Sequence, residues 1–269
     1  MINKRKCPKC FFKRIYVIRR QKLRCARCKY EWKPYCLPLY LGQKKWVKIL
    51  KWFLRGLSSQ QIAYETGINR LRIIRALNIV RQLFVKDVPD VFSGTIEIDE
   101  TYIGGQWKNK RKSQKSVQTK RGRGCLKTPV FGILCRGGKV WAQVVANVEA
   151  KTLMPLIARR VRQGSTICSD TWKSYTGIAA KGYVHRLVEH GKNEYVSKQS
   201  NHINGLEGFW GYLKRKLASK GGIRKERLPL YLAEYVWRYN NRKLTIKQQT
   251  DKILKLLFNH KNLVFSGSK

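Results

Sequence analysis

Acidic residues are scarce in this sequence. Asp and Glu together number 15 of 269 residues against 58 Lys and Arg, so the formal net charge is +43. A chain this basic indicates a polyanionic partner, and nucleic acid is the default because contacts to phosphates supply most of the non-specific affinity for it. A solvated basic surface, a ribosome-associated protein and attraction to anionic membranes are the alternatives that charge alone leaves open.

Long apolar runs are also missing. The longest apolar stretches, such as 130–134 and 140–148, fall far short of the roughly 20 residues that a membrane-spanning helix requires. No apolar region follows the charged N-terminal segment MINKRKCPKC, so no secretory signal is visible. We therefore expect no membrane span.

Low-complexity sequence is absent as well. Hydrophobic residues make up 43% of the chain and aromatic residues 11%, and Trp, Tyr, Phe and Leu recur throughout. This composition excludes collagen-like, mucin-like and wholly disordered proteins. The length fits one large domain or two to three small ones.

Four of the eight cysteines form a metal-binding pattern. Cys7 and Cys10 make one CxxC motif, Cys25 and Cys28 make a second, and fourteen residues separate the two motifs. Two such pairs can close tetrahedrally on one Zn²⁺ ion as in a zinc ribbon, and four thiolates leave no open position, so the site is structural. A pair of redox-active CxxC motifs is the alternative, but neither motif follows a strand and opens a helix. Without a secretory signal we expect reduced thiols.

The segment after these cysteines has the pattern of a helix-turn-helix. An apolar stripe at helical spacing ends at Gly56, Ser58 can cap a second helix, Gly67 makes a turn and Asn69 can cap a third helix. Three arginines lie away from the apolar stripe of the third helix, and we expect them to contact DNA: Arg70, Arg72 and Arg75. A plain three-helix bundle with a solvated basic face is the alternative.

Three acidic residues stand out because acids are so rare. Asp99 lies on a predicted strand of alternating pattern, and Asp170 ends a short apolar run that predicts another strand. Glu207 lies on a predicted helix and shares one edge with Lys214, two turns away. A carboxylate there can bind a metal while the lysine meets a phosphate. Surface acids paired with the abundant Lys and Arg are the alternative for any one of them taken alone.

The order of predicted elements around these acids indicates an α/β fold. Three antiparallel strands, two of them joined by a hairpin at Gly137 and Gly138, precede a helix over 151–162, the strand of Asp170 and further helices. This is a ribonuclease-H-like arrangement with a mixed sheet, in which acids from two adjacent strands and one helix converge on divalent metals. Cleavage of a phosphodiester by two metals needs carboxylate oxygens around ions roughly 3.5–4 Å apart, and Mg²⁺ prefers such ligands.

Residues 106–127 form a basic segment for which no stable element is predicted. It carries nine Lys or Arg and no acid. A loop this long inside a domain is usually functional or disordered. We expect an arm that orders on DNA phosphates, with a disordered insertion as the alternative. The residues expected to contact DNA are Lys110, Arg111, Lys112, Arg121 and Arg123.

Five segments together resemble the DDE transposases of prokaryotic insertion sequences. They are IEIDETYIGG, PVFGILCRGG, SDTWKSY, HINGLEGFWGYLKRKL and YLAEYVWRYNNR. The chain is similar in particular to the group with an N-terminal zinc ribbon and helix-turn-helix, and the resemblance runs from Cys7 to about Arg242. It implies a zinc ribbon over 1–38, a helix-turn-helix domain over 39–90, a ribonuclease-H-like DDE domain over 91–245 with the basic insertion 106–127, and a C-terminal helix or tail over 246–269.

The resemblance also implies a set of site residues. Asp99, Asp170 and Glu207 fall on the family's Mg²⁺-binding triad, for which Mn²⁺ is an alternative ion, and Lys214 falls on the basic residue after the last acid. Some members of the group carry Asn at the third position, so Asn204 competes with Glu207. Glu97 shares the strand face of Asp99, and for it we expect a structural or solvent-facing role.

The implied function is that of a transposase. Such an enzyme binds the terminal inverted repeats of its element and catalyses metal-dependent cleavage and strand transfer on double-stranded DNA, both at the transposon ends and at the target. Holding both ends together implies at least a homodimer on DNA, and the implied location is cytoplasmic, at the nucleoid. A non-catalytic DNA-binding regulator derived from a transposase, and a ribonuclease-H-like nuclease or resolvase, are the alternatives.

Overall fold

Two compact units make up the chain. The computed structural model describes residues 6–7, 9–19, 22–32, 37–89, 91–104, 127–170, 177–188 and 203–259. One unit comprises Met1–Ala76 together with Ile246–Lys269, and the other comprises Leu77–Thr245. Within the described residues, no helix is both long enough and apolar enough to cross a bilayer.

The first unit begins with a small antiparallel sheet. Its strands are β1 (Ile15–Ile18), β2 (Lys22–Cys25) and β3 (Glu31–Trp32), with β2 in the middle. The sheet buries little apart from Leu23 and the cysteines, because the strands are short and basic. A domain with so small an apolar core needs another source of stability, such as a bound metal.

Three helices follow this sheet along the chain. They are α1 (Gln43–Leu54) and α2 (Ser59–Thr66) in the first unit, and α3 (Arg70–Lys86), which begins in the first unit and continues from Leu77 in the second. The predicted start and stop signals are confirmed. Ser58 and Gln61 form a reciprocal capping box at the start of α2, Gly67 ends α2 in the left-handed conformation, and Asn69 Oδ1 accepts a hydrogen bond from the Leu71 N–H at 2.9 Å. Short 3₁₀ turns occur at Pro38–Tyr40 in this unit and at Ala179–Lys181 and Lys225–Arg227 in the other.

The second unit is built on a five-stranded mixed sheet. The strands are β4 (Thr95–Ile103), β5 (Thr128–Cys135), β6 (Val140–Val144), β7 (Thr166–Asp170) and β8 (Val184–Val188), and their order is β6-β5-β4-β7-β8. β4, β5 and β6 pair antiparallel, while β7 and β8 run parallel to β4. The predicted hairpin is confirmed, with Gly137 at a φ of 67°. The predicted mixed α/β architecture is therefore confirmed.

Helices cover both faces of this sheet. They are α4 (Ala150–Arg160), α5 (Asn204–Ala218) and α6 (Leu228–Asn240), while α7 (Ile246–Asn259) packs against α1 in the first unit. On one face Ile96 and Ile98 join a core with Leu153 and Ile157 of α4. On the other face Val130, Leu134 and Val140 join a core with the apolar sides of α5 and α6.

Because helices cover both faces of the sheet, the prediction that one face of β4 is exposed is wrong. Alternation of apolar and acidic residues predicted a strand that is half exposed, yet Glu97 is only 1% exposed. The face that carries Glu97 lies beneath α5, since the Leu206 N–H of that helix donates to Glu97 Oε2 at 2.9 Å.

The last residue of α6, Asn240, binds the backbone of the edge strand β6. Asn240 Oδ1 accepts a hydrogen bond from the Val140 N–H at 2.7 Å, and Asn240 Nδ2 donates to the Val140 carbonyl oxygen at 2.8 Å. The side-chain amide thereby satisfies both backbone groups of one residue of the outermost strand, β6.

A buried ion network joins two helices of the second unit. Glu234 of α6 is 2% exposed, and its carboxylate accepts from Arg81 Nε at 2.7 Å and from Arg238 Nε at 3.0 Å. Glu234 therefore packs within the core, where two arginines compensate its charge.

Candidate active site and metal-binding cluster

The four patterned cysteines gather into one cluster. The sulfurs of Cys7 and Cys28 lie 3.5 Å apart, as do those of Cys10 and Cys25, and all four lie within 4.8 Å of one another. Zn–S bonds of about 2.3 Å in a tetrahedron place the sulfurs about 3.8 Å apart, so the cluster has the dimensions of a four-thiolate zinc site. The set could hold a metal ion with no open position.

The two cysteine motifs have the same backbone construction. Phe11 and Lys29 each follow the second cysteine of a motif, and each takes the left-handed conformation, with φ of 56° and 59°. The Phe11 N–H donates to the Cys7 carbonyl at 2.9 Å, and the Lys29 N–H donates to the Cys25 carbonyl at 3.2 Å. Left-handed conformations of non-glycine residues are rare, and their repetition at equivalent positions indicates two matched metal-binding turns.

The thiols of this cluster differ in acidity. Burial raises the pKa of Cys25, but the backbone N–H groups of Cys28 and Arg27 lower it more, to about 7. At Cys28 the backbone N–H of Tyr30 lowers the pKa, whereas burial and the neighbouring cysteines raise it to about 12. Four sulfurs this close cannot all ionise without a cation among them, because the thiolates would repel one another. A divalent metal bound between them supplies that positive charge.

Asp99 lies near the middle of β4, on the face covered by α5. Trp210 of α5 donates its indole N–H to Asp99 Oδ2 at 3.0 Å. The ring reaches this carboxylate because Gly132, which pairs with Asp99 across β4 and β5, has no side chain. A Cβ at Gly132 would lie 2.5 Å from Cζ2 of Trp210. A glycine within a strand often indicates that another group comes close, but it does not identify that group as Trp210.

Asp99 and Asp170 lie on adjacent parallel strands. Glu97 pairs with Cys168, and each acid lies two residues farther along its strand. Burial is the main cause that raises the pKa of Asp99 to about 7, and the charges of Glu100 and Asp170 also raise it. The hydrogen bonds from the Glu100 backbone and from Trp210 lower it, but by less. A buried carboxylate with a second acid on the adjacent strand is a donor set suited to a divalent cation, which offsets the negative charge.

Glu207 and Lys214 lie on the solvent-exposed side of α5. The predicted apolar stripe of this helix is confirmed, with Leu206, Trp210, Leu213 and Leu217 all buried. Among the described residues, only the cysteines form a group of three or more potential ligands with all ligand atoms within 4.8 Å. The carboxylates of Asp99, Asp170 and Glu207 are therefore more widely spaced as a set. Asn204 is exposed at the start of α5.

The three arginines predicted to contact DNA are exposed on α3. Arg70 and Arg75 lie at the surface, and Arg72 in addition donates to the Leu39 carbonyl at 2.5 Å. Arg72 thus also ties α3 to the segment before α1. The five predicted residues of the basic segment lie outside the described residues: Lys110, Arg111, Lys112, Arg121 and Arg123.

A second basic surface lies on α1, and the sequence analysis did not single it out. Lys44, Lys48, Lys51 and Arg55 are all exposed, and their spacing of four, three and four residues places them on one side of the helix. No acid occurs in the helix itself. The helical spacing of these cations was the signal available in the sequence.

Residues 91–240 match the family model described as an ISXO2-like transposase domain. This match spans more than half of the chain and covers the mixed sheet, both candidate aspartates and the helix that carries Glu207. The class of protein is thus that of the DDE-type transposases of insertion elements. Within that class, the chain belongs to the ISXO2-like transposase family.

Two relatives come from prokaryotic genomes. An "uncharacterized transposase-like protein" of Haemophilus influenzae is 39% identical over 103 residues, which are 38% of this chain and 82% of the relative. An "uncharacterized protein in transposable element ISH50" of Halobacterium salinarum is 28% identical over 211 residues, which are 70% of this chain and 69% of the relative.

Two solved structures of Mos1 transposase are also similar in part. A pre-cleavage Mos1 transpososome matches 79% of this chain and 78% of its own, with 12% identity and a TM-score of 0.25. A Mos1 paired-end complex with the left transposon end matches 83% of both chains, with 11% identity and a TM-score of 0.24. Scores of this size do not define a shared fold.

Proposed function

We propose that this chain is an active transposase that cuts and joins DNA at the ends of its insertion element. The observation that supports the proposal is the parallel pairing of the two strands that carry Asp99 and Asp170, together with the hydrogen bond from Trp210 of α5, the helix that carries Glu207, to Asp99. The strand order and directions support a ribonuclease-H-like catalytic domain, which we propose for 91–245.

Asp99, Asp170 and Glu207 are the residues that would hold Mg²⁺ or Mn²⁺. When bound, such ions supply activation of the attacking oxygen and stabilisation of the leaving oxygen of a phosphodiester. The raised pKa of Asp99, about 7, fits this assignment because a cation next to the carboxylate takes the place of the proton. Trp210 fixes the orientation of the Asp99 carboxylate through its indole N–H.

The reaction takes place in two steps on DNA. Water first attacks the phosphodiester at the transposon end, and the broken P–O bond leaves a free 3′-hydroxyl. That hydroxyl then attacks a phosphodiester of the target by in-line displacement, so one bond forms as another breaks. Asp99, Asp170 and Glu207 would hold the ions next to the reacting phosphate, Lys214 would contact its oxygens, and no covalent intermediate with the protein is needed.

The N-terminal modules bind DNA in this proposal. Zn²⁺ in the four-cysteine cluster stabilises a ribbon over 1–38, and the helices of 39–90 form the helix-turn-helix, with Arg70, Arg72 and Arg75 directed to DNA. The basic segment 106–127 adds phosphate contacts, and residues 246–269 serve as a C-terminal helix and tail. Because two transposon ends must be joined in one event, we assign a homodimer or larger assembly on DNA at the nucleoid.

Strand transfer by the purified protein tests the proposal. Duplexes carrying the terminal repeats of the element are incubated with Mg²⁺ and either wild type or Asp170→Asn. Joined products from wild type alone are expected. Binding without cleavage by either protein, with both ends assembled, would instead favour a non-catalytic regulator, and cleavage without joining would favour a nuclease.

A further inference from the structure

Glu97 is a buried acid two residues before Asp99 on the same face of β4. Its side chain is 1% exposed, and its two oxygens have different partners. Oε1 accepts from Arg136 Nε at 3.2 Å, and Oε2 accepts from the backbone N–H of Leu206 at 2.9 Å. Because both oxygens accept hydrogen bonds, the orientation of the Glu97 carboxylate is fixed, and Arg136 compensates its charge.

The bond to Leu206 lies in the first turn of α5. The residue before the helix, Ile203, has an apolar side chain and makes no side-chain capping bond to the first N–H groups of α5. The Leu206 N–H lies 3.1 Å from the Ile203 carbonyl and 2.9 Å from Glu97 Oε2, and is shared between them. Glu97 therefore acts as a capping residue supplied by a strand 109 positions away, with its negative charge at the positive end of the helix.

Space for this contact depends on a glycine. A Cβ at Gly205 would lie 2.9 Å from Glu97 Oε2 and 3.2 Å from Leu134 Cδ2. By contrast, a Cβ at Gly208, one turn further along the same helix, would meet nothing within 4 Å. The first turn of α5 thus lies close to β4 at Gly205, next to the Glu97 carboxylate.

Two hydrogen bonds connect α5 to the strand of the first catalytic acid. Glu97 holds the backbone of Leu206, and Asp99 accepts from Trp210 one turn later. Glu207 follows Leu206 directly and lies between these two attachment points. The hydrogen bond between Glu97 and Leu206, which joins the start of α5 to β4, consequently sets the position of Glu207 relative to Asp99.

We propose that Glu97 is a positioning residue for the metal site, which sets the distance between Glu207 and Asp99 by capping α5. This inference rests on the proposed function, because it concerns the carboxylates that would bind the divalent ions. Glu97 itself does not bind the metal, since Arg136 and Leu206 hold its oxygens. Its loss lets the first turn of α5 move away from β4 and weakens the metal site without removing a ligand.

The test measures Mn²⁺ binding directly, with zinc-loaded, full-length protein. Electron paramagnetic resonance gives the free Mn²⁺ concentration for wild type, Glu97→Ala, Glu97→Gln and Asp170→Asn, while circular dichroism verifies the fold of each. We expect Glu97→Ala to bind Mn²⁺ about 10-fold to 100-fold more weakly, the usual effect of losing a group that orients a ligand. Glu97→Gln retains an oxygen for the Leu206 N–H and is expected to recover much of the affinity.

A pair of glycine variants keeps the test valid if Glu97→Ala does not fold. Gly205→Ala crowds the Glu97 contact, whereas Gly208→Ala makes the same chemical change in open space on the same helix. Weaker Mn²⁺ binding in Gly205→Ala alone supports the inference. Equal binding in both variants, or a folded Glu97→Ala with wild-type affinity, overturns it.

Asp170→Asn separates failure of the inference from failure of the proposed function. If Asp170→Asn loses Mn²⁺ binding while Glu97→Ala retains it, the metal site stands and only the role of Glu97 is wrong. If Asp170→Asn binds Mn²⁺ as wild type does, the metal site itself is wrong, and the inference about Glu97 falls with it.

Discussion

The indole nitrogen of Trp210 lies 3.0 Å from Oδ2 of Asp99, and the ring that carries it rests against Gly132. A helix residue thus provides the hydrogen bond that orients an acid of the central strand. The bond also stabilises the ionised form of Asp99, and it acts against the burial and neighbouring charges that raise the pKa of this carboxyl to about 7.

Replacing Trp210 by Phe keeps a ring over Gly132 and removes the donor. Because a hydrogen bond to a charged group contributes about 1.5–3 kcal/mol, the pKa of Asp99 is expected to rise by about one unit or more. The pH profile of Mg²⁺-dependent cleavage should shift upward by that amount. Trp237→Phe is the matched control, since the Trp237 indole donates to Asp87 at 2.9 Å, outside the site. Equal profiles for wild type and Trp210→Phe would contradict the role of this bond.

The raised pKa of Asp99 also makes stability depend on pH. The value is about 7 in the folded protein against 3.8 ordinarily, so between these values the metal-free folded state keeps a proton that the unfolded state releases. The stabilisation is full at low pH and is lost as the pH rises through 7. Mg²⁺ at about 100 times its dissociation constant should add about 2.7 kcal/mol at pH 8, and less at pH 5.5, where the proton competes.

Thermal unfolding at both pH values, with and without Mg²⁺, checks this expectation. Asp99→Asn carries no titrating carboxyl and should lose most of the difference between the two pH values. The same gain from Mg²⁺ at pH 5.5 and pH 8 in wild type would show that no proton is exchanged at this site.

Cys25→Ser should remove the metal from the N-terminal cluster. Binding of structural zinc contributes about 10–16 kcal/mol in small zinc domains, far more than a short sheet with one buried leucine can supply. We expect loss of zinc, measured by atomic absorption, and loss of amide exchange protection in β1 and β2. Cys135→Ser changes a cysteine outside the cluster and should keep one zinc per chain. Full zinc content in Cys25→Ser would contradict a four-cysteine site.

The exposed arginines of α3 should contribute to the salt dependence of DNA binding. Each lost phosphate contact reduces the slope of log K against log salt by about 0.9, so Arg70→Gln with Arg75→Gln should reduce it by about 2. Fluorescence anisotropy over a salt series measures this slope. Lys247→Gln with Lys255→Gln on α7 removes the same charge from exposed positions of another helix and is the control. A slope equally reduced by both pairs would indicate a general charge effect rather than contact by α3.

Features encoded within a few residues could be predicted from the sequence. Ser58 and Gln61 cap α2 across three positions, and the cysteines of each motif lie three apart, so local spacing was sufficient. The contacts that organise the candidate site span much longer separations. Glu97 and Leu206 are 109 residues apart, and Asp99 and Trp210 are 111 apart. The alternation in β4 predicts a strand, but it cannot indicate that a distant helix covers the acidic face, and so the burial of Glu97 was missed.

The amide of Asn240 has a consequence for association between molecules. An outer strand normally exposes unpaired N–H and C=O groups, and these can recruit a strand from another chain and start the growth of an aggregate. At Val140 both groups are already engaged by one side chain, at 2.7 and 2.8 Å. A strand from another chain would have to displace this amide before it could pair with β6 at Val140. Asn240, the last residue of α6, therefore disfavours edge-to-edge association of the sheet.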